Sequence, residues 1–176
     1  MVMLVKRINI ISGNVRPPQR GMMQTSLHVI ANAAIKDKTK RFCSLYSLFN
    51  RVLLEKAYHK LNKDAVTGID EVTWEDYGRN LSRNLIELEE RLKQKQYWPR
   101  YTKRVLIPKP NGKKRPLGIS ILEDKIVQQL AADILNALYE PLFLPCSYAY
   151  RPDRSAKQAV QALREELDKK YVWVVE

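Results

Sequence analysis

Residues 108–119 read PKPNGKKRPLGI, a tight-turn signature set between two short apolar runs and crowded with cations. Asn111-Gly112 predicts a two-residue type I′ hairpin turn, because both central positions of that turn need positive φ and these two residues tolerate it. Val105, Leu106 and Ile107 lead in as one strand, and Leu117 to Ile119 lead out as the other. Lys109, Lys113, Lys114 and Arg115 gather at the tip and on the returning strand, where they repel one another unless an anion meets them. The stretch predicts an antiparallel hairpin that seeks phosphate.

Outward from the hairpin the periodicity turns helical. On the N-terminal side Leu81, Leu85, Leu88 and Leu92 form one apolar stripe, opened by Thr73 and Asp76 in a capping-box pattern. Glu87 with Arg91 and Glu89 with Lys93 are expected as i,i+4 ion pairs. Earlier still, Phe42, Leu45, Leu48, Phe49, Val52 and Leu53 predict a core-facing helix, and Met22 to Ile35 a shorter one, with a polar break around Gly68. On the C-terminal side Ser120 and Glu123 predict a cap for a long helix carrying Leu122, Ile126, Leu130, Ile134 and Leu138. Pro141 and Pro145 end it in a loop mixing Tyr148 and Tyr150 with Arg151 and Arg154. Ser155 and Gln158 then cap a last helix with Ala159, Leu163 and Leu167 turned inward, and YVWVVE, 171–176, reads as a buried strand. The expected fold is α+β, mainly helical with a small antiparallel hairpin.

The 176 residues carry 31 Lys and Arg against 19 Asp and Glu, a formal net charge of +12 that points to a polyanionic partner. Nucleic acid leads, with a ribosome-associated or membrane-surface role as the other readings of charge alone. Before Asp37 there is no acidic residue, so the N-terminal stretch reads as a basic arm. From Arg91 to Leu122 there are ten Lys or Arg and no acid, with Tyr97, Trp98 and Tyr101 among them. Cations beside aromatics suit phosphates and stacked bases. No signal peptide or membrane span is expected, and Cys43, Cys146, His28 and His59 lack the spacing of a metal site or disulfide framework. The cysteine usage fits a reducing cytosol.

Four blocks in order, NKDAVTGIDEVTW (62–74), RVLIPKPNGKKRPLGISILEDKIVQ (104–128), EPLFLPCSYAYRPDRSAKQAV (140–160) and WVVE (173–176), resemble the successive N-terminal blocks of group II intron-encoded reverse transcriptases, the maturases. The resemblance runs from about residue 24 to the end and implies a right-hand polymerase of which this chain supplies the fingers. Residues 1–40 would be a basic arm with a short helix, 41–170 the fingers region and 171–176 the first palm strand, cut short before the catalytic palm. The resemblance implies that Lys109 and Arg115 hold the triphosphate of the incoming deoxynucleotide and that Ile119 packs against the templating base pair. Arg151, Arg154 and Ser155 match a block that engages template, and Arg100, Lys103, Arg104, Lys113 and Lys114 join them as expected RNA contacts. Ser120 stands for a frequent Pro, Ala149-Tyr150 for Gly-Phe, and Asp153 for a frequent Gly.

The activity implied is templated DNA synthesis on RNA, with Mg2+ held in the complete enzyme by Asp residues expected beyond Glu176. None of these metal ligands is expected in this chain, so on its own it is expected to be inactive. The partners implied are group II intron RNA or template RNA with its primer, dNTP, and the remaining palm, thumb and maturase parts if the enzyme is split. Two other readings stay open: a stand-alone, non-catalytic intron-RNA-binding module, and a basic protein that only assembles with others.

Overall fold

The computed structural model describes residues 27–37 and 39–168. The expected arm and the start of the first helix, as well as the strand at 171–176, lie outside the described residues. Six helices and one hairpin are described: α1 (Leu27–Lys36), α2 (Arg51–Lys60), α3 (Trp74–Arg79), α4 (Leu81–Lys93), β1 (Lys103–Pro108), β2 (Lys114–Ile119), α5 (Leu122–Tyr139) and α6 (Ala156–Leu167), with short 3-10 turns at Leu45–Leu48 and Glu140–Leu142. The mainly helical α+β expectation holds.

Helix α5 is the centre because its every-fourth-residue stripe is continuous for the whole helix. Leu122, Ile126, Leu130, Ile134 and Leu138 are all buried, and α1 and α2 pack on α5. Helix α4 packs on α2 and adds Leu85, Leu88 and Leu92 to the same core. Burying each such Leu or Ile is worth about 1.5–3 kcal/mol. Tyr58 fills the space between α2 and α3: its hydroxyl donates to the Trp74 carbonyl (2.8 Å), and Trp74 Nε1 donates back to the Tyr58 carbonyl (3.1 Å). Their rings stack 4.5 Å apart. Both polar tips are thus satisfied where water is excluded.

Ser155 with Gln158 forms the expected capping box on α6, and Asn50, not anticipated as a cap, accepts from the Leu53 amide to open α2. Thr73 accepts from the Asp76 amide as expected, but the helix it opens is the short α3, and the stripe of Leu81, Leu85, Leu88 and Leu92 lies on a separate helix, α4, that starts after Asn80 with no side-chain cap. Asn50 also breaks the expected 42–53 helix into a 3-10 turn and α2, which leaves Val52 exposed rather than in the core. Ser120 does not cap α5. The backbone stays extended through Ile121, the helix starts at Leu122, and Ser120 Oγ instead accepts from Gln128. Glu89 pairs with Lys93 as expected, but Glu87 turns to Arg83 because Arg91 is taken by Glu123. On α6, Leu163 and Leu167 face outward instead of into the core, since no described element covers them.

Gly78 on α3 faces the Tyr58 hydroxyl so closely that a Cβ there would lie 2.5 Å from it. Helix propensity alone favours Gly78→Ala by about 1 kcal/mol. The contact reverses the sign, because the hydroxyl is fixed by its bond to Trp74. Gly78→Ala should lower stability by about 1–3 kcal/mol in a denaturant melt, whereas a gain would show that Tyr58 is free to move.

Candidate nucleic-acid interface

The hairpin forms with a different turn from the expected type I′. Lys109 C=O accepts from Gly112 N–H (3.0 Å), and Lys109 N–H donates to Lys113 C=O (2.7 Å). Gly112 takes φ +75°, whereas Asn111 is not among the positive-φ residues. The loop is therefore the three-residue Pro110-Asn111-Gly112, a type I turn closed by a left-handed glycine. Pro110, the residue that would close a two-residue turn onto the Lys113 carbonyl, has no N–H to do so, and its fixed negative φ suits the first central position of the type I turn instead. Asn111 Oδ1 adds an acceptor for the Lys113 amide (3.2 Å).

The antiparallel register then sorts the cations by face. Lys103 pairs with Ile119, Val105 with Leu117 and Ile107 with Arg115; the alternate pairs are Arg104 with Gly118, Leu106 with Pro116 and Pro108 with Lys114. Side chains alternate along a strand, so one face carries Lys103, Val105, Ile107, Lys109, Lys113, Arg115, Leu117 and Ile119, with its cations at the two ends around an apolar middle. Arg104 and Lys114 sit on the other. Lys109 and Arg115 are diagonal neighbours, about 7–8 Å apart at that spacing. Among the described residues none of these cations has a carboxylate partner in an ion pair. Most of the hairpin's side chains are exposed, with Ile107 and Ile119 half-buried.

The root of the hairpin is fixed by a carboxylate that periodicity does not reveal. Asp124, in the first turn of α5, is 2% exposed and accepts from the Tyr97 hydroxyl and from the Arg100 backbone N–H (3.0 Å). Burial and then this hydrogen bond hold the Tyr97 hydroxyl well above the ordinary tyrosine range, so it stays a donor. Tyr97, expected beside the cations as a stacking ring, is thus turned inward. Next to it Glu123 receives two bonds from Arg91 Nη2 (2.7 and 2.8 Å) and one from the Tyr77 hydroxyl (3.3 Å). That bonding raises the Arg91 pKa. Arg100, with Ile69, Val72, Tyr77, Ile121 and Glu123, lines a cleft of about 410 Å³ beside the hairpin root.

The second expected cluster is built around its own loop. Arg151 clasps Glu140 (Nη2 2.7 Å, Nε 3.1 Å) and donates through Nη1 to the Leu144 and Ser147 carbonyls at 2.9 and 2.7 Å, over the Phe143 ring. Hydrogen bonding to Arg151 keeps the Glu140 carboxyl below its usual range. Ser155 is spent on the α6 cap, and Arg154 lies over the Tyr148 ring at 5.2 Å. Asp153 has φ +56°, a conformation that glycine, the frequent residue of the resembled block, adopts freely and Asp tolerates. Among the described residues no hydrogen bond, ion pair or ring contact links this loop to the hairpin.

Asp124→Ala removes the only acceptor that the Tyr97 hydroxyl and the Arg100 amide have among the described residues. It should cost about 3 kcal/mol and speed hydrogen exchange at the Arg100 amide. Unchanged stability together with unchanged exchange would show that the clamp does not position the hairpin.

No protein-family model matches the chain. It is 37% identical over 114 residues to the group II intron-encoded protein LtrA of Lactococcus lactis subsp. cremoris, a match covering 62% of this chain and 18% of LtrA. Protein YkfC of Escherichia coli K12 is 35% identical over 113 residues, covering 62% of this chain and 30% of YkfC. An uncharacterized 91 kDa protein in the cob intron of Schizosaccharomyces pombe is 44% identical over 61 residues, 35% of this chain and 8% of that protein. The chain therefore spans less than a third of the length of these relatives, and over the matched part it is a homologue of a group II intron-encoded protein and of a protein in a cob intron.

Proposed function

We propose that residues 41–170 are the fingers region of a group II intron-encoded, RNA-directed DNA polymerase, and that the hairpin is where it grips the incoming nucleotide and the template RNA. The observation that carries this reading is the strand register, which gathers Lys103, Lys109, Lys113, Arg115 and Ile119 on one exposed face. A flexible ammonium at Lys109 and a forked guanidinium at Arg115 divide the charge of a triphosphate between them. Ile119, half-buried at the base of the same face, offers an apolar surface to the base pair being formed. Arg104 and Lys114 on the reverse face, with Arg100 at the root, meet the phosphates of template RNA. Arg154 extends that path from the second loop, and Arg151 and Ser155 hold the loop that carries it.

The complete enzyme is expected to use Mg2+, but the residues present do not fit that role. Among the described residues no group of three or more His, Cys, Asp or Glu is placed to hold a metal ion. Near the hairpin root, Glu123 and Asp124 are already engaged by Arg91, Tyr77, Tyr97 and the Arg100 amide. We assign nucleotidyl transfer to parts of the enzyme other than these residues, and expect the chain by itself to bind without catalysing.

In the whole polymerase, Lys109→Ala or Arg115→Ala should raise the KM for dNTP by about tenfold or more, the loss expected for one charge-assisted contact. Arg104→Ala, on the reverse face, should weaken RNA binding with the KM for dNTP unchanged. Equal KM values for all three variants would remove the nucleotide assignment.

A further inference from the structure

We propose that Trp98 and Tyr101 form a stacking surface for the unpaired bases of an RNA strand, held out at the root of the hairpin by the Asp124 clamp. The inference rests on the nucleic-acid reading above and assigns it a second kind of contact, to bases rather than phosphates.

Trp98 is 81% exposed and Tyr101 88% exposed, well beyond what such large rings show on an ordinary surface. Neither ring is recorded in a contact with another aromatic ring or beneath a cation among the described residues. Their exposure is imposed by the backbone. The Tyr97 hydroxyl and the Arg100 amide both end on the Asp124 carboxylate, so the peptide on each side of Trp98 is tied to α5. Pro99 fixes its own φ and holds Trp98 in the extended region. A ring displayed from a tethered segment loses little further freedom when a base settles on it.

The surroundings decide which partner fits. Arg100, Lys103 and Arg104 flank the two rings, and no acid occurs between Arg91 and Leu122. An apolar protein surface docking here would strip water from these cations and return no charge. An RNA strand brings phosphates to the cations and base faces to the rings together. In a duplex the base faces are already covered, so the surface selects unpaired RNA.

The test uses the full chain and three probes of equal length: an unstructured 12-nucleotide RNA, the same RNA annealed to its complement, and an abasic strand with the same phosphates. The wild type should prefer the unstructured RNA to the abasic strand by about fivefold or more per stacked base, with tryptophan emission quenched on binding. Trp98→Ala/Tyr101→Ala should lose most of that preference and keep the salt dependence, since no charge is removed. Trp98→Phe/Tyr101→Phe should restore the preference. Wild-type binding that falls with salt but is equal for RNA and abasic strands would overturn the stacking surface and leave the phosphate reading standing. The same holds if the double alanine variant binds RNA normally but no longer self-associates in sedimentation, which would make the rings an interface between copies. Failure to bind any strand at any salt concentration would overturn both.

Discussion

The carboxylate of Asp124 sits in the first turn of α5, buried, with the Tyr97 hydroxyl on one oxygen and the Arg100 amide on the other. A buried carboxylate without such partners is costly, so the segment 97–100 must lie across the start of α5 for the helix to be buried there at all. Glu123 beside it takes Arg91 from the end of α4 and Tyr77 from α3. Two adjacent acids thus collect α3, α4 and the root of the hairpin at one helix start, where the helix dipole also favours negative charge. The bare cations of the hairpin begin only beyond this knot. The acids of the region are drawn to the body, and the strands are left uniformly positive.

That separation is what gives the hairpin its use. The three-residue turn places Lys109 and Lys113 side by side, the register adds Arg115 and Lys103 to the same face, and nothing described neutralises them. Their mutual repulsion is tolerable because the face is wet and the field is screened within roughly 10 Å. A polyphosphate arriving there relieves it. Gly118 continues the pattern of close fit at the root, since a Cβ on it would come 3.1 Å from Thr102 Oγ1.

Much of this was legible in the residues. The α5 stripe, the α4 stripe, the Thr73 and Ser155 caps and the hairpin itself follow from local spacing and turn chemistry, which act within a few residues. The misreadings share a different cause. Pro110 converted the turn, Asn50 divided a continuous apolar pattern, and Glu123 drew Arg91 away from Glu87 across 32 residues. Asp124 lies off the apolar stripe of its helix, so only the long-range arrival of Tyr97 and Arg100 buries it. Arg151, expected as a template contact, also ties its own loop together through bonds to Glu140, Leu144 and Ser147, partners that local spacing does not announce. The outward apolar residues of α6 have no counterpart in the described residues, and local periodicity cannot tell a covered stripe from an uncovered one.

The face-specific reading of the hairpin is tested most directly by mapping backbone amide and side-chain NMR shifts while inorganic tripolyphosphate is titrated into the chain. The largest changes are expected on Lys103, Ile107, Lys109, Lys113 and Arg115, with Arg104, Leu106 and Lys114 changing little. Changes spread evenly over both faces, or centred on the Arg79 and Arg83 region of α3 and α4, would contradict it.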